Sequence, residues 1–367
     1  MKKIVFVAGD KSGDFYAGLL TKELKTLYQN KLEVYSFGGP ALAKNSRQII
    51  NLTEYAVSGI FEVARNLGKI LSVFTKTIEG IKAIDPDLII LVDFPDFNLR
   101  IAKKLNNQFK IFYYISPQVW AWRKKRVNLI KKYTDKIIVI FKFEEEFYKK
   151  KQTDVLYFGH PLLDSINSEQ SQPQKLILLL PGSRENEIRN HLPVMLKAKK
   201  IMEKEIKNYR FLIVRPENIE EEFYKQIGGE NLNIIPHSYD IISKAEFIIT
   251  SSGTATLEIA IMEIPFLLIY KVHSLTWLIL RMMVKIKFIG MPNIIAKRKI
   301  VEEYIQNKAT PQNIAGYCLR IIKNKDEYSK LKEGLKGIKE KLTPYGAIEN
   351  TVKFIGSYLG IENDSGK

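Results

Sequence analysis

One local pattern occurs twice in this chain: a short apolar run, a turn that contains glycine, and a segment with apolar residues at helical spacing. The first copy runs from residues 4–8 through 9–14 to 15–27, and the second from 176–180 through 181–184. Short uninterrupted runs of branched apolar residues are typical of parallel strands buried on both faces. Two such beginnings in 367 residues predict two α/β domains of ordinary size.

Further apolar runs alternate with segments of helical spacing and predict additional buried strands, at residues 88–92, 111–115, 137–140, 211–214, 247–250 and 266–270. This alternation is typical of parallel sheets that carry helices on both faces. We therefore expect two Rossmann-like parallel-sheet domains that face each other across a cleft. Ligands of open α/β sheets bind at the carboxyl ends of the strands, so the loops that follow the strands should carry the function.

The domain boundaries are predicted from composition. Residues 165–175 are rich in serine and glutamine and form the best linker candidate in the chain. We expect an N-terminal domain over residues 1–168 and a second domain over residues 169–345. Residues 346–367 should form a C-terminal helix that packs back on the N-terminal domain, followed by a frayed tail.

Charge and cysteine content limit the class of protein. The formal net charge is +17, which is compatible with nucleic acid, an anionic membrane surface or a phosphorylated substrate, or with a composition that simply favours lysine. The single cysteine, Cys318, excludes an intramolecular disulfide framework and is expected in the core of an amphipathic helix. The histidines show no metal-ligand spacing. The single cysteine also favours a reducing, cytoplasmic location. The first apolar run is too short for an export signal, and cations interrupt the longest one, so we expect a protein that is soluble or lies on a membrane without crossing it.

Two loops of the first half carry candidate chemistry. The loop at residues 9–14, Gly-Asp-Lys-Ser-Gly-Asp, precedes a helix and is either an anion cradle or a plain turn, with Asp14 as the expected helix cap. Asp93 closes a buried strand, where a carboxylate can act as a general base for a sugar hydroxyl or serve a structural role. Asp96, three residues later, is expected to cap a helix that begins near Phe97. Residues 116–126 combine two tryptophans with four cations, as in a stacking or phosphate-binding segment or a packed helix start.

The second half contains two loops of the type that binds phosphate. Arg184 follows the first strand of this half and lies beside a helix N-terminus, a setting suited to a diphosphate. Ser252, Gly253 and Thr254 follow another strand and open a helix, and Glu258 lies one turn into that helix, where it can accept hydrogen bonds from ribose. Together the two loops predict a nucleotide site. His160 near the domain junction is expected to be a structural histidine.

Two apolar segments with basic flanks predict either membrane contact or ordinary core helices. The first has helical spacing of apolar side chains, at Ile60, Val63, Leu67, Ile70, Leu71 and Phe74. The second, residues 275–288, contains Trp277 and three cations and is apolar almost all round.

In chain order, these loops resemble those of the lipid-A-disaccharide synthases, a family of GT-B glycosyltransferases. The matching phrases are GDKSGD (9–14), DFPDFN (93–98), SPQVWAWRKKRV (116–127), GHP (159–161), LPGSRENEI (180–188), SSGTATLE (251–258), MPNIIA (291–296) and EEYIQ (302–306). They span nearly the whole chain. The tryptophan phrase and the SSGTATLE phrase are the most specific of the set.

The resemblance implies a defined reaction. Such enzymes transfer 2,3-diacylglucosamine from its UDP donor to the 6-hydroxyl of 2,3-diacylglucosamine 1-phosphate, with inversion, and release UDP. The resemblance implies no metal and no cofactor. It also implies a protein on the inner leaflet of the inner membrane, with an anionic membrane surface as a partner and no nucleic acid. Whether the chain forms a homodimer is left open.

The resemblance also assigns residues to roles. Asp93 matches the family's candidate general base, and Ser12 matches the serine of the first loop. On the donor side, the family's positions correspond to Arg184, Ser252, Gly253, Thr254, Glu258, Asn293 and Gln306. The stripe that includes Ile60 and Phe74 matches the region thought to receive acyl chains or membrane. Departures from the family pattern are Asp10 in place of glutamate, Gln118 in place of serine, and residues 297–299 in place of a Gly-Arg pair.

Three alternatives differ in what they leave unexplained. Another GT-B enzyme or a UDP-sugar epimerase would account for the two domains and the phosphate loops but not for the tryptophan phrase. A basic nucleic-acid-binding protein would account for the charge, but the sequence shows no helix-turn-helix, RRM or KH signature. A structural protein of the membrane surface would not need the phosphate loops.

Overall fold

The structure is a computed structural model that describes residues 1–55, 67–121, 123–166, 172–273, 277 and 287–362. The chain divides into two units, the first formed by Met1–Asp164 and Leu342–Lys367 and the second by Ser165–Lys341. The sequence analysis places the corresponding divisions after residues 168 and 345.

The first unit contains, within its described residues, a parallel sheet of seven strands in the order β3-β2-β1-β4-β5-β6-β7. The strands are β1 (Lys2–Ala8), β2 (Leu32–Phe37), β3 (Arg47–Ile50), β4 (Leu88–Val92), β5 (Ile111–Tyr114), β6 (Lys136–Val139) and β7 (Leu156–Tyr157). Every residue of β4 is buried, because helices cover both faces of the sheet centre.

The helices of this unit follow the strands, as a parallel sheet requires. They are α1 (Lys11–Tyr28), α2 (Pro40–Ala43), α3 (Leu67–Ile84), α4 (Pro95–Leu105), α5 (Arg126–Tyr133), α6 (Lys142–Lys149) and, at the boundary between the units, α7 (Leu162–Ser165). Short 3₁₀ turns occupy Gln29–Lys31 and Leu52–Tyr55.

The second unit contains, among the residues described, a parallel sheet of six strands in the order β10-β9-β8-β11-β12-β13. Its strands are β8 (Leu176–Leu180), β9 (Arg210–Arg215), β10 (Ile234–Pro236), β11 (Phe247–Ser251), β12 (Phe266–Tyr270) and β13 (Glu302–Ile305). Its helices are α8 (Glu185–Glu205), α9 (Glu221–Gly228), α10 (Tyr239–Ser243), α11 (Ala255–Ile261), α12 (Met291–Ala296), α13 (Pro311–Lys323) and α14 (Lys325–Glu340), with a 3₁₀ turn at Gln306–Lys308. Cys318 is fully buried in α13, as expected.

The last helix, α15 (Ala347–Tyr358), belongs to the first unit and packs against its sheet and α1. The ring of Phe354 stacks on that of Phe112 with centroids 5.7 Å apart, and Tyr358 meets the same ring edge-on at 4.7 Å. These aromatic contacts attach the C-terminal helix to the first unit.

The predicted strands are all present, and the strands that the sequence analysis missed lie mainly at sheet edges. β3, β7, β10 and β13 are the edge strands of the two sheets. An edge strand is partly exposed and has no need of a continuous apolar run. Its sequence, such as Arg47–Ile50, therefore carries a weak signal.

The order of strands reverses once in each sheet, and each reversal lies beside the candidate loops. In the first unit the chain proceeds outward in both directions from β1 and β4, and in the second from β8 and β11. A ligand crevice forms at such a switch point, outside the carboxyl ends of the two strands. Asp10 and Asp93 flank the first switch point, and Arg184 and Gly253 follow the strands of the second.

Two helix caps differ from expectation. Helix α1 begins at Lys11, and its cap is Asp10, whose carboxylate accepts a hydrogen bond from the Gly13 N–H at 2.6 Å. Asp14 lies inside the helix, where its buried carboxylate instead accepts the Gly39 and Ala41 N–H groups at 2.6 and 2.8 Å. The helix begins earlier than the apolar spacing indicates because the Asp10 carboxylate satisfies an N–H group of its first turn.

The second cap is also corrected. Helix α4 begins at Pro95, with Phe94 at the cap position, so Asp96 lies in the first helical turn. Its exposed carboxylate forms ion pairs with Arg123, at 3.1 Å, and with Arg126.

Within the described residues, no helix is both long enough and apolar enough to cross a membrane.

Asn98 joins the two strands of the first switch point and gives the first test. Its buried amide donates to the main-chain oxygens of Val7, Val92 and Asp93, at 3.3, 3.1 and 2.9 Å. Asn98→Ala should lower the free energy of unfolding by about 1–3 kcal/mol, because buried carbonyl groups lose their donor. Equilibrium urea unfolding measures this loss.

Asn107→Ala is the matched control, since Asn107 is exposed just beyond the same helix. Its effect should stay within about 0.5 kcal/mol. Equal effects of the two substitutions would contradict the assigned role of Asn98.

Candidate functional site

The backbone at the end of β4 is strained. Asp93 and Phe94 both have left-handed conformations, with φ of 43° and 46°. Such a conformation is uncommon for residues with side chains and persists only where the surroundings impose it. Here the Asp93 carbonyl oxygen accepts hydrogen bonds from the Tyr113 hydroxyl at 2.6 Å and the Asn98 amide at 2.9 Å. The strand end is thereby held so that the Asp93 side chain lies at the switch point.

Gly9 explains how Phe94 fits beside this turn. A Cβ atom at residue 9 would overlap the aromatic ring of Phe94. Only glycine leaves that space, so the first loop and the DFPDFN loop are built to pack against each other. Ser12 lies exposed in the first turn of α1, on the same loop.

The carboxyl group of Asp93 is a weak acid in this setting. Burial raises its pKa to about 8, and the nearby charge of Asp10 adds to the increase. The Phe94 N–H group acts in the opposite direction by hydrogen bonding to the carboxylate. A carboxylate with such a raised pKa is a stronger base than an ordinary aspartate, which is what proton removal from a hydroxyl requires.

A cavity of about 170 Å³ opens at this point, within the first unit. It is lined by residues of the DFPDFN loop, the tryptophan loop and α5, namely Asp93, Pro95, Pro117, Gln118, Val119 and Arg126. Drug-sized ligands occupy larger pockets, of roughly 300–1,000 Å³. The cavity therefore suits a small polar group such as a sugar ring rather than a whole lipid.

The tryptophan loop is held in place by α6. Ser116 shares a short hydrogen bond with the Tyr148 hydroxyl, and the Trp120 indole N–H donates to the Glu144 carboxyl at 3.1 Å. The Trp120 ring also meets Phe143 edge-on at 5.1 Å. Glu144 is buried, and this burial raises its pKa to about 8. Trp120 thus has a packing role; Trp122 lies outside the described residues.

In the second unit, the loop after β8 turns at Gly182, which has φ of 141°. A Cβ atom here would overlap the Glu187 side chain, whose carboxylate accepts the Ser183 N–H at 3.0 Å. Arg184 caps the N-terminus of α8, and its side chain is 61% exposed, with Glu187 at 3.7 Å. The cation is therefore available to a ligand at a helix N-terminus, where anions are favoured.

The loop after β11 also depends on a glycine. Gly253 has φ of 156° and open space beside it, and its carbonyl oxygen accepts the Thr256 hydroxyl at 2.8 Å. The Ser252 hydroxyl donates to the Ile289 carbonyl at 3.3 Å. Thr254 is the cap of α11. The loop presents small polar residues and main-chain groups at the second switch point.

Glu258 has a neighbour that the sequence analysis left out. The imidazole Nε2 of His237 lies 3.3 Å from the Glu258 carboxylate, and the ring of Tyr239 lies 5.3 Å from that of His237. Both side chains are partly accessible. His237 lies just beyond the end of β10, in a segment for which the sequence offered no assignment, and it reaches Glu258 in α11.

Asn293 and Gln306 make internal hydrogen bonds. Asn293 is fully buried, and its amide bonds the main chain of Ile300 and Val301 and the carboxylate of Glu303, at 2.6 to 2.9 Å. Gln306 exchanges two hydrogen bonds with the main chain of Val272, at 3.1 and 3.2 Å. In this structure the Asn293 amide holds the segment that precedes β13, and the Gln306 amide holds the loop that follows β12.

His191 joins the loops that follow β8 and β12. Its Nδ1–H donates to the Pro181 carbonyl at 2.7 Å, and its Nε2 accepts the Lys271 N–H at 2.8 Å. The pattern requires the neutral Nδ1–H tautomer. Burial lowers the pKa of His191, which favours that neutral form.

The remaining sequence candidates lie away from these contacts. His160 is fully buried, with its Nδ1 accepting the Leu162 N–H and its Nε2 without a hydrogen-bond partner in the described part of the chain. Burial lowers its pKa to about 3, so it is neutral. Ile70 and Phe74 are half-buried and Leu71 is 49% exposed on α3.

Part of the predicted lipid-contacting set lies outside the described part of the chain. Ile60 and Val63 lie outside the described residues, as does the side chain of Leu67 at the start of α3. Trp277 is half-buried, with its ring centroid 6.5 Å from that of Tyr270.

Asn98, Glu144, His191 and Glu303 escaped the sequence analysis. Asn98 and Glu303 fall inside phrases already singled out, DFPDFN and EEYIQ, where the amide and the extra carboxylate were available signals. Glu144 and His191 lie within ordinary helical patterns, and only their tertiary contacts distinguish them.

Comparison with known proteins identifies the family. A family model described as lipid-A-disaccharide synthetase matches residues 4–349. The lipid-A-disaccharide synthase of Syntrophus aciditrophicus is 37% identical over 95% of each chain, and that of Persephonella marina is 36% identical over 97% of this chain and 98% of the relative.

Solved structures show the fold. S. aureus MnaA, in a co-structure with UDP, superposes with a TM-score of 0.66 at 17% identity over 99% of this chain and 98% of that chain. MurG of Acinetobacter baumannii gives a TM-score of 0.55 at 14% identity over 97% of this chain and 100% of that chain. With its two parallel-sheet units and its loops at both switch points, the chain has the GT-B fold, is a glycosyltransferase, and belongs to the lipid-A-disaccharide synthase family.

Proposed function

We propose that this enzyme transfers 2,3-diacylglucosamine from UDP-2,3-diacylglucosamine to the 6-hydroxyl of 2,3-diacylglucosamine 1-phosphate, with inversion at the anomeric carbon. The observation that carries the proposal is the Asp93 carboxyl group, held by a strained turn at a switch point and lining a cavity of sugar-ring size. Family membership supplies the substrate class.

Asp93 is the general base of the proposed step. Its carboxylate removes the proton of the acceptor 6-hydroxyl as that oxygen bonds to the anomeric carbon of the donor. The bond from the anomeric carbon to the UDP oxygen breaks, and the proton remains on Asp93. Attack from the face opposite the leaving group inverts the configuration, and the products are the β-1,6-linked disaccharide 1-phosphate and UDP.

The second unit is proposed to bind the UDP diphosphate and to stabilise it as the leaving group. We propose that Arg184, at the N-cap position of α8, balances the charge that develops on the UDP oxygen, together with the main-chain N–H groups of that helix end. The loop of Ser252, Gly253 and Thr254 is proposed to contact the phosphates, and Glu258 to accept hydrogen bonds from ribose. Asn293 and Gln306 are proposed to serve the donor side by holding the main chain of Val301 and Val272.

The acyl chains and the membrane are assigned to α3. Leu71 is 49% exposed beside the half-buried Ile70 and Phe74, and Lys69 and Lys76 are exposed on the same helix. Apolar side chains flanked by lysines suit an anionic membrane interface. We infer that this face of α3 contacts lipid on the cytoplasmic side of the inner membrane.

Conversion of the donor alone, as by a UDP-sugar epimerase, is the reaction from which the proposed transfer must be separated, because solved epimerase structures share the fold over the full length of the chain. The UDP-GlcNAc 2-epimerase of Neisseria meningitidis, bound to UDP-GlcNAc, gives a TM-score of 0.63 at 14% identity. Purified protein incubated with both proposed substrates, with EDTA present, separates the two functions. Mass spectrometry should find the disaccharide 1-phosphate and UDP only when the acylated acceptor is present, whereas acceptor-independent conversion of the donor would indicate an epimerase.

The pKa of Asp93 predicts a pH profile. The general base must be deprotonated, so kcat/KM should rise tenfold per pH unit and level off above about pH 8. Asp93→Asn should lower kcat by about 10²–10⁴-fold and abolish this rise. Steady-state rates of UDP release between pH 6 and pH 10 provide the measurement.

Asp10→Asn is the matched variant for this profile. The amide retains an oxygen for the Gly13 N–H but removes the charge that raises the pKa of Asp93. The inflection should therefore move to lower pH. A profile that does not move would show that Asp10 does not act on the base.

The role of Arg184 is tested at the donor. Arg184→Ala should lower kcat by roughly 10- to 100-fold, because it removes a charge that balances the leaving diphosphate. Arg189→Ala is the control, since Arg189 lies on the same helix with its guanidinium over the ring of Phe223, 4.5 Å from the centroid. Comparable losses for both variants would remove Arg184 from this role.

His191 can be tested one hydrogen bond at a time. His191→Asn can retain the hydrogen bond donated to the Pro181 carbonyl, and His191→Gln can retain an acceptor for the Lys271 N–H. His191→Ala retains neither hydrogen bond. We expect UDP binding, measured by calorimetry, to weaken most in His191→Ala and less in the other two variants. The exposed His273 provides the control, His273→Ala. Identical affinities for all three His191 variants would contradict a role in positioning the loops.

A further inference from the structure

Arg126 is the cation of the cavity that contains Asp93. It is the first residue of α5, and its side chain is only 11% exposed. The cavity wall places this guanidinium and the Asp93 carboxyl group around the same space of about 170 Å³. No role has been assigned to Arg126 in the reaction described above.

Burial of the Arg126 guanidinium is unfavourable, and an ion pair with Asp96 offsets it. Burial lowers the pKa of its guanidinium, against the opposite influence of Asp96. The Asp96 carboxylate, 68% exposed, holds the guanidinium on its solvent side and also accepts a hydrogen bond from Arg123 at 3.1 Å. The two arginines thus bond the same carboxylate.

The charge of Arg126 serves a different partner from Asp93. The pKa of Asp93 is set by burial, Asp10 and the Phe94 N–H, and it is raised rather than lowered. A guanidinium that existed to neutralise Asp93 would lower that pKa. The cavity thus combines a group that can take a proton from a hydroxyl with a separate group that favours an anion.

Arginine is well suited to phosphate. Its planar fork of N–H donors matches two oxygens of a phosphomonoester, and such charge-assisted hydrogen bonds are stronger than neutral ones. The cavity has room for a sugar ring but not for the lipid chains attached to it. A sugar that carries a hydroxyl at one end and a phosphate at the other would satisfy both groups.

We propose that Arg126 binds the phosphomonoester of the acceptor sugar and thereby selects a phosphorylated acceptor over its neutral counterpart. This inference rests on the proposed function, since it names the group that orients the acceptor with its 6-hydroxyl at Asp93. Gln118, which also lines the cavity, can donate to the same phosphate.

The test compares two acceptors, 2,3-diacylglucosamine 1-phosphate and 2,3-diacylglucosamine. Arg126→Gln should lower kcat/KM for the phosphorylated acceptor by roughly 10- to 100-fold, the scale of a lost charged hydrogen bond. The rate with the unphosphorylated acceptor and the KM for the UDP donor should stay within about threefold. Arg126→Lys, which retains the charge, should recover part of the selectivity.

Arg123→Gln is the matched control, because Arg123 bonds the same Asp96 carboxylate but does not line the cavity. It should leave the ratio of the two acceptors unchanged. Calorimetric titration with glucosamine 1-phosphate gives a second measurement that does not depend on turnover. The wild type should bind glucosamine 1-phosphate, Arg126→Gln should bind it more weakly, and Arg123→Gln should bind it as the wild type does.

Three results would overturn the inference. Equal losses with both acceptors would assign Arg126 to loop structure, and a rise in the donor KM alone would assign it to the diphosphate of UDP. Unchanged selectivity would remove it from recognition altogether. Failure of the wild-type enzyme to use either acceptor would instead refute the proposed function, and the inference with it.

Discussion

The carboxyl edge of a buried parallel sheet ends in main-chain carbonyl groups that need hydrogen-bond donors, and the candidate site is built from the side chains that supply them. Asn98 serves three such groups across β1 and β4. In the second unit His191 serves Pro181, and Gln306 serves Val272. Each of these side chains donates a hydrogen bond to a main-chain carbonyl group at or near a strand end. The same hydrogen bonds therefore also hold the loops in place.

The same edge determines the electrostatics of Asp93. The carboxyl group lies where two strand ends diverge, close to Asp10 and within a partly closed cavity, so burial and like charge act together to raise its pKa. Such an arrangement is unfavourable for an isolated aspartate and useful for a base. The strained backbone at Asp93 and Phe94 shows that packing around Gly9, Asn98 and Tyr113 imposes the geometry.

Much of the fold was predictable because central parallel strands are continuous apolar runs. β4 and β12 have the predicted limits, and the functional loops follow them in the predicted order. Edge strands such as β3 and β13 were missed, since one side of each lacks a partner and its sequence need not be apolar. The helix caps were misplaced by a few residues, because the Asp10 carboxylate and Pro95 allow the helices to begin earlier than their apolar faces indicate.

The sequence by itself determined the α/β class, the two repeated beginnings, the family resemblance and the loops in which function resides, because these depend on local patterns of residues. Only the tertiary structure decided what individual polar side chains do. For Asn293 and Gln306 it shows the main-chain groups of Val301 and Val272 that their amides bond. For Arg126, which is one cation among several in the sequence, it shows a place in the wall of the cavity beside Asp93. The physical reason is that burial and hydrogen-bond partners depend on residues distant in the chain, which no local pattern encodes.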